Sequence, residues 1–344
     1  MSSTIELGLD TFGDVTVNGD GTPLSQAAVL RNVLEQGVLA DQLGLAFIGV
    51  GEHHRPDFAI TAPEVVLGAL ASRTTRIHLG TAVTVLSTDD PVRVFERFST
   101  INALSHGRAE VLVGRGSFTE SFPLFGYNLE QYEPLFEEKL NLFVELLKGQ
   151  PVTWKGQLHS VAFSNQKIYP LIESGTLATW VAVGGSPESV VRAAHYGLPL
   201  MLAIIGGNPQ RFIGYADLYR QMLERLGKPM LPIGVHSPGH VAATDEQAKE
   251  ELWPHYAGLM NRIGAERGWQ PIGRAHFERE AADGALFVGS PETVAAKIVK
   301  TVKTLGLSRF DLKYSNGTLP HDRLMKSIEL YGTKVVPLVR EQLS

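Results

Sequence analysis

Two adjacent histidines beside a carboxylate are the residues of this chain best suited to chemistry. Glu52, His53 and His54 follow the apolar run 46–50 after a single residue, Gly51. Because histidine titrates near neutral pH, it can act as a base, an acid or a metal ligand. A pair of structural or surface histidines would produce the same letters. Their place at the end of a predicted strand, next to a carboxylate, favours a functional site.

Two glycine-rich turns have the composition of anion sites. Gly114-Arg115-Gly116-Ser117 offers backbone N–H groups and a guanidinium, although an arginine paired across the rim of a fold would explain it equally well. Gly184-Gly185-Ser186-Pro187-Glu188-Ser189 joins a predicted strand to a predicted helix, where N–H groups and the helix dipole favour a phosphate. Ser186 also suits an N-cap and Pro187 the first helical position, and both roles are compatible.

A third apolar run contains small residues in its middle. Gly80, Thr81, Ala82 and Val83 lie within the run 77–86. Small residues let a ligand or another backbone approach closely, or they allow a β-bulge. Close packing inside the fold explains them more simply, and the residues alone favour that interpretation.

Three stretches nearer the end of the chain have simpler explanations. His236 and His240 lie within the predicted strand 232–243, and we interpret both as structural. Gly289-Ser290-Pro291-Glu292 precedes a predicted helix without an evident strand before it, which is typical of a plain N-cap. Residues 313–317 follow the last predicted strand and are explained by an Asn-Gly turn.

Alternating strand and helix patterns supply the framework for these residues. Helical spacing of apolar residues, together with Pro and Gly at segment ends, separates the two patterns. The predicted strands span residues 5–12, 46–50, 77–86, 109–113, 178–183, 198–205, 232–243 and 310–314. The predicted helices are 24–43, 62–72, 91–104, 129–147, one that ends at 196, 209–226, one that begins at 244, one that ends at 305, and 320–342.

Eight strands with intervening helices predict an α/β fold, a (β/α)8 TIM barrel that spans residues 1–344 as one domain. Segment 148–176 is predicted as an insertion with a short hairpin after strand four, and 264–285 as an irregular insertion after strand seven. Periodicity does not show closure, so a doubly wound open sheet is the alternative. In a barrel, the catalytic groups are expected at the C-terminal ends of the strands.

Composition excludes several classes of protein. Net charge is −5, from 31 basic and 36 acidic residues without long blocks of either sign, so a nucleic-acid partner is not expected. There is no cysteine, which excludes disulfides, thiolate metal sites and a cysteine nucleophile. The first residues lack the basic and then apolar pattern of a signal segment, and no apolar run reaches membrane-spanning length. We therefore expect a cytoplasmic protein without a membrane partner.

In chain order, these stretches resemble a known family, the bacterial-luciferase-like flavin monooxygenases. Each motif is modest, but the ordered set is specific and runs from about Ile5 to Leu338. The motifs are Glu52-His53-His54, residues 77–83, Pro91-Val92-Arg93, Ser105-His106-Gly107-Arg108, Gly114-Arg115-Gly116, residues 184–189, and His195-Tyr196-Gly197-Leu198-Pro199.

The resemblance implies a TIM barrel that binds FMN at its C-terminal face. In the family a separate NAD(P)H-dependent flavin reductase supplies reduced FMN, which reacts with O2 at C4a, and the peroxyflavin oxygenates a small organic substrate. A homodimer packed through early helices is implied as well. His53 matches the family's catalytic histidine, and the bond Ala82–Val83 matches a non-prolyl cis peptide beneath the flavin ring. The implied cofactor-binding residues are Thr81, Ala82, Val83, Arg115, Gly116, Gly184, Gly185 and Ser186, with no metal.

The chain departs from the luciferase pattern at two positions. Gly114 replaces a reactive cysteine, which is expected to leave more room beside the flavin. Glu133 falls near the position of a second phosphate-binding arginine. The insertions, where the family varies its substrate pocket, match nothing recognisable, so neither the substrate nor light emission is implied.

Three alternatives to a monooxygenase remain. The first is a flavin-binding barrel without oxygenase activity, and the second is a deazaflavin-dependent dehydrogenase, which the phosphate-binding turns do not distinguish from an FMN enzyme. The third is a metal-dependent hydrolase with Glu52, His53 and His54 as ligands. That site would need further ligands at other strand ends, yet strand one ends Asp10-Thr11-Phe12 without a His-x-His, and strand eight has no aspartate at its tip.

Overall fold

The structure is a computed structural model that describes residues 5–159, 161–173 and 175–344. Residues 1–4, 160 and 174 lie outside this description. The first four belong to the stretch from which the absence of a signal segment is predicted, and the other two belong to the insertion predicted at 148–176.

Strands and helices alternate along most of the chain. The strands are β1 Glu6–Thr11, β2 Phe47–Val50, β3 His78–Thr81, β4 Thr84–Val85, β5 Glu110–Gly114, β6 Val152–Lys155, β7 Ala162–Gln166, β8 Ala178–Val183, β9 Leu200–Ala203, β10 Ile233–Val241, β11 Phe287–Gly289 and β12 Arg309–Lys313. The α-helices are α1 Gln26–Gln42, α2 Pro63–Ala71, α3 Pro91–Leu104, α4 Ser121–Leu124, α5 Tyr132–Leu147, α6 Pro187–Tyr196, α7 Ile213–Arg225, α8 Asp245–Glu266, α9 Arg274–Ala282, α10 Pro291–Leu305, α11 His321–Leu330 and α12 Val336–Leu343. Of these helices, none combines the length and apolar character needed to cross a membrane.

The parallel sheet curls into a barrel. Its strands follow the order β3, β2, β1, β12, β10, β9, β8, β5 and β4. The two sides of this order meet where Leu79 of β3 bridges Ala109, and the Leu79 N–H donates to the Arg108 carbonyl at 2.9 Å. The predicted (β/α)8 barrel is therefore confirmed, with β1, β2, β3, β5, β8, β9, β10 and β12 as its eight strands.

Caps and apolar stripes set the ends and the buried faces of the helices. The Asp90 side chain accepts from the Arg93 N–H at 3.0 Å, and Pro91 takes the first position of α3. Phe98 lies on the buried face of that helix. The C-terminal end of α6 is set by Gly197, its C-cap. Gly197 has φ 69°, a left-handed conformation that glycine adopts without a Cβ penalty.

The third predicted strand is divided in the structure. A cis peptide bond joins Ala82 to Val83 and separates β3 from β4. β3 pairs with β2, whereas β4 pairs with β5, so the run 77–86 changes neighbours halfway. The prediction of one continuous strand was wrong because an apolar pattern reports burial and not the pairing partner.

The second insertion is mostly helical, so the irregular segment predicted at 264–285 was wrong. α8 continues to Glu266, and α9 follows with Phe277 and Ala281 buried four residues apart on one face. Polar residues around this short stripe mask it in the sequence. β11 then pairs with β10 directly before Ser290, where no strand was expected, because three residues are too few to show alternation.

Two further elements test the predictions near the middle and the end of the chain. β6 and β7 form the antiparallel hairpin expected within 148–176. The helix predicted at 320–342 consists of α11 and α12, which a π-helical turn at Tyr331–Val335 joins into one helical run. Gly332 in that turn lies against Leu43, the C-cap of α1: a Cβ on Gly332 would lie 2.8 Å from the Leu43 Cβ. Apolar periodicity does not report this close approach to the end of α1.

A buried ion pair closes the N-terminal end of the barrel. Arg309 of β12 donates to both carboxylate oxygens of Glu110 of β5, at 2.7 and 3.0 Å. The Trp180 indole donates to the same carboxylate at 3.1 Å, and His78 Nδ1 lies 2.8 Å from it. Burial opposes the ionisation of Glu110, but Arg309 and His78 outweigh it and hold the pKa of this carboxyl at about 2.

We expect Glu110→Gln to lower the free energy of unfolding by about 3 kcal/mol at pH 7, because it removes the buried carboxylate from Arg309 and leaves only the half-exposed Glu6 to balance that buried charge. Urea denaturation measures the loss. Glu6→Gln is the matched control, since Glu6 also pairs with Arg309, at 2.6 Å, but is half exposed. It should cost less than about 1 kcal/mol. Equal losses of unfolding free energy in the two variants would contradict this account of the N-terminal end of the barrel.

Candidate active site

A cavity of about 350 Å³ opens at the C-terminal ends of the barrel strands. Six of the residues predicted for the site line it: His53, Ala82, Val83, Arg115, Gly116 and Gly184. Gly185 and Ser186 lie beside it at the start of α6. The Thr81 hydroxyl is buried and donates to the Leu112 carbonyl at 3.0 Å, so its observed role is to hold β3 to β5.

His53 lies in an aromatic enclosure. The ring centroids of Phe12, Phe58 and Phe118 are 4.5, 4.7 and 4.9 Å from its own. Its Nε2 is buried and has no hydrogen-bond partner. Burial, reinforced by the nearby charges of Lys313 and Arg55, lowers the pKa of His53 to about 3. The imidazole is therefore neutral at physiological pH, with one ring nitrogen free for a ligand.

Glu52 and His54, in contrast to His53, have hydrogen-bond partners within the protein. His54 Nε2 lies 2.7 Å from one carboxylate oxygen of Glu52, and the other oxygen accepts from the Val85 N–H at 3.2 Å. The pair thus fastens the strand end to β4, and His54 also packs edge-on against Phe125. Within the described ranges, no three His, Asp or Glu side chains are grouped closely enough to hold a metal ion. The hydrolase alternative therefore gains no support.

The cis bond between Ala82 and Val83, expected from the family resemblance, is present on the cavity wall. Next to it, a Cβ on Gly114 would lie 2.7 Å from the Val83 Cγ2. The expectation that Gly114 leaves extra room is therefore wrong, because the Val83 side chain already fills the space. Gly114 instead permits the close approach of β5 to this bond.

An anion cradle forms where the two glycine turns meet; we use this name for Arg115, Ser186, Ser189 and Arg192. Arg115 Nη2 donates to the Ser189 hydroxyl at 3.2 Å, and Arg192 Nη1 donates to the same oxygen at 3.3 Å. The Ser186 hydroxyl caps α6 by accepting from the Ser189 N–H at 3.2 Å. Beside Gly184, an added Cβ would meet no atom within 4 Å, so a ligand has space there.

Glu133 forms ion pairs with both arginines of the cradle, Arg115 and Arg192. The sequence places Glu133 where a second arginine was expected, and the structure supplies the second guanidinium from α6 instead. Arg192 lies three residues after Ser189 on one helical face, and that i, i+3 spacing is the signal that sequence reasoning missed. The cradle thus keeps two cations, but it also holds a half-exposed carboxylate.

Three polar residues, which we call the cavity floor, complete the site: Asp10 of β1, His236 of β10 and Asp311 of β12. None was predicted, and His236 was interpreted as structural. The signal lay in alternation, because Arg309, Asp311 and Lys313 occupy every second position of β12 and so face one side. The repeat places Asp311 in the barrel interior, while Arg309 on the same face belongs to the structural ion pair with Glu110.

The fold and the site together define the class of this protein. It is a (β/α)8 barrel whose cavity, at the C-terminal ends of the strands, is lined in part by charged and polar side chains. The model of the family described as luciferase-like monooxygenase matches residues 11–309. The chain belongs to this family, as the resemblance of its motifs predicted, and its membership supports an oxidoreductase activity.

Relatives with this architecture cover nearly the whole chain. The alkanal monooxygenase alpha chain of Photorhabdus luminescens is 23% identical over 360 residues, which is 96% of this chain and 98% of that one. Among solved structures, the monooxygenase RslO1 of Streptomyces bottropensis has a TM-score of 0.84 at 22% identity and covers 97% of this chain and 99% of its own.

Other structural neighbours differ in cofactor. The oxygenating constituent of 3,6-diketocamphane monooxygenase of Pseudomonas putida, in complex with FMN, has a TM-score of 0.79 at 17% identity, covering 97% of this chain and 98% of its own. An F420-dependent secondary alcohol dehydrogenase has a TM-score of 0.75 at 16% identity, covering 98% and 99%. At these identities the likeness shows a shared fold.

The low pKa of His53 predicts a specific loss of stability in mild acid. The unfolded chain binds a proton on His53 below pH 6.5, whereas the folded chain does so only near pH 3. Stability therefore falls as the pH drops through that window, by about 2 kcal/mol from this residue between pH 7.5 and 5. We expect His53→Gln to remove that share of the pH dependence, measured by urea denaturation at both pH values.

Phe58→Leu is the matched control for this measurement. It disturbs the same aromatic enclosure without removing a titrating group, so it should lower stability by a similar amount at both pH values. An unchanged pH dependence in His53→Gln would show that His53 is not kept neutral by the fold.

Proposed function

We propose that this protein is a flavin-dependent monooxygenase that uses reduced FMN and O2 to oxygenate a small organic substrate. One observation carries the proposal: a single cavity joins a neutral, unpartnered His53 to Arg115 and Gly184 of the two glycine turns. A group able to accept or donate a hydrogen bond and an anion site on the wall of one cavity suit a cofactor with a reactive ring and a phosphate tail. Membership of the luciferase-like monooxygenase family supports the same reading.

The residues present fit the phosphate of FMN. Arg115 and Arg192 can each donate charge-assisted hydrogen bonds, and the N-terminus of α6 adds its dipole behind the Ser186 cap. Both serine hydroxyls already lie in the cradle, 3.0 Å apart, and can turn towards a phosphate oxygen. The ring would lie along the part of the cavity walled by Ala82 and Val83.

When bound, reduced FMN would supply the two electrons that activate O2. The chain's own contribution is a dry compartment in which His53 Nε2 can accept or donate one hydrogen bond. Phe12, Phe58 and Phe118 exclude water from that nitrogen, which strengthens whatever hydrogen bond it makes. We assign His53 the role of the catalytic residue on this basis.

We further propose the partners that the family resemblance implies. They are a separate NAD(P)H-dependent flavin reductase and a second copy of the chain, in the cytoplasm. Val65 of α2 and Leu104 at the end of α3 are 74% and 62% exposed, and apolar side chains at early helices are compatible with packing of two copies there.

A deazaflavin-dependent dehydrogenase is the second candidate, and Glu133 is the observation that favours it. Its carboxylate neutralises part of the charge of Arg115 and Arg192. Such a cradle suits the single charge of a phosphodiester, as in the F420 coenzyme, better than the double charge of FMN. A flavin-binding barrel without oxygenase activity would use the same contacts.

Anaerobic titration with reduced FMN, followed by mixing with oxygenated buffer, tests the proposed function. We expect saturable binding, and a release of hydrogen peroxide that is slower than from free reduced FMN because the enclosed site retains the activated oxygen. Binding with immediate peroxide release would indicate a flavin-binding barrel without oxygenase activity. Binding of reduced F420 without binding of FMN would establish the dehydrogenase instead.

Arg115→Ala should weaken FMN far more than riboflavin, which lacks the phosphate. Loss of a charge-assisted contact predicts a rise in the Kd of FMN of about tenfold to a hundredfold, with riboflavin nearly unchanged. Flavin fluorescence titration measures both. Arg93→Ala, on the exposed face of α3, is the matched control and should alter neither value. An equal loss of affinity for FMN and riboflavin would show that Arg115 does not contact the phosphate.

A further inference from the structure

The cavity floor holds carboxylate oxygens that have no partner within the protein. Both oxygens of Asp311 and the Oδ1 of Asp10 are buried and make no hydrogen bond. Each side chain is only 1% exposed. Buried polar atoms in native proteins are nearly always satisfied, so such oxygens beside a cavity indicate a bound polar group. Because the same residues line the cavity, a ligand bound there can supply that polar group.

Asp10 and His236 form a directed pair within this floor. His236 Nδ1 lies 2.5 Å from Asp10 Oδ2. An ionised carboxylate can only accept, so Nδ1 is the donor in this contact, and in the neutral imidazole that arrangement leaves the lone pair on Nε2. An imidazole oriented in this way by a carboxylate is the arrangement of a general base, because the carboxylate stabilises the cation that forms. Asp10 is then a positioning residue for His236.

Asp311 is suited to the complementary role. Complete burial raises the pKa of its carboxyl well above the ordinary value, and the neighbouring carboxylates of Asp10 and Glu110 act in the same direction against the opposing effect of Arg309. A carboxyl kept neutral by its surroundings has an O–H to donate. The floor therefore combines a hydrogen-bond donor with a base.

The floor and His53 share a neighbour, Phe12. The Phe12 ring is edge-on to His53, with centroids 4.5 Å apart, and nearly parallel to His236, with centroids 6.0 Å apart. The two imidazoles differ in their polar partners: His236 Nδ1 faces the Asp10 carboxylate, whereas His53 Nε2 has no hydrogen-bond partner. Two histidines in such different surroundings can serve two different reacting groups.

We propose that the cavity floor binds the acidic hydroxyl of a phenol or enol substrate and removes its proton, with His236 Nε2 as the base and Asp311 as hydrogen-bond donor to the resulting oxyanion. The substrate O–H bond breaks and an N–H bond forms on His236, whose positive charge is balanced by Asp10. No oxidant is needed for this step. The proposal names the substrate class of the site; only the later oxygenation of that electron-rich anion rests on the proposed function.

The first test examines the pair without any flavin. In the protein labelled with ¹⁵N-histidine, long-range ¹H–¹⁵N spectra should include a signal from His236 that is protonated on Nδ1 and bare on Nε2, beside any similar signal from His78, whose Nδ1 also faces a carboxylate. The His236 signal should vanish in His236→Gln, shift in Asp10→Asn, and persist in His240→Gln, a buried histidine of the same strand that contacts Glu251 outside the cavity. His236 protonated on Nε2 instead would overturn the proposal.

The second test uses 4-nitrophenol. Its anion absorbs visible light, whereas its neutral form does not. At a pH below its own pKa, the protein should bind it and raise the phenolate absorbance at saturation. His236→Gln and Asp10→Asn should each remove most of that rise, whereas His240→Gln should preserve it. Binding without any rise in wild-type protein, or a full rise in a folded His236→Gln variant, would refute proton transfer to His236.

Paired substitutions test the donor. Asp311→Asn keeps an N–H donor at nearly the same position, so the Kd of the bound phenolate should change by less than about threefold. Asp311→Val removes every donor and should raise that Kd about tenfold. Equal effects would overturn the role of Asp311. Because none of these readouts involves FMN, a failure of flavin binding leaves them interpretable, and failure here leaves the flavin proposal standing.

Discussion

The parallel closure of the sheet is the constraint on which the rest of this structure depends. A bridge at Leu79 and Ala109 brings β3 to β5, and with that contact the carboxyl ends of eight strands meet at one rim. Glu52, Gly114 and Gly184 lie far apart in the chain and end three different strands, yet they line one cavity because of this closure. An open sheet made from the same strands would spread these groups along an edge.

Polar groups buried inside the barrel divide into two kinds. At the N-terminal end of the barrel, Arg309, Glu110 and Trp180 form hydrogen bonds with one another, so that cluster is structural. At the C-terminal end, Asp311 and one oxygen of Asp10 have no hydrogen-bond partner within the protein. The charged side chains are buried to a similar degree in both places, so the difference lies in the partners that the protein itself supplies. A burial penalty left uncompensated in the free protein is available to favour a ligand that supplies the missing contacts.

The anion cradle contains two guanidinium groups, although the second one comes from a different helix than the family resemblance implied. Arg192 on α6 provides the second guanidinium that Glu133 on α5 does not, and both arginines converge on Ser189. Glu133 then adds a negative charge beside both guanidinium groups. Under the proposed function, a cofactor phosphate would compete with this carboxylate for the two arginines, and that competition would favour one phosphorylated cofactor over another.

The sequence by itself determined the elements and the strand ends that carry chemistry. Apolar periodicity located the eight barrel strands, cap residues located α3 and α6, and ordered motifs indicated the family and His53, because those signals are local. Tertiary structure alone decided the partners: the break at Ala82–Val83, Val83 filling the space beside Gly114, and the grouping of Asp10, His236 and Asp311. These depend on contacts between strands remote in the chain, and a one-dimensional pattern records which face a residue occupies but not what it meets there.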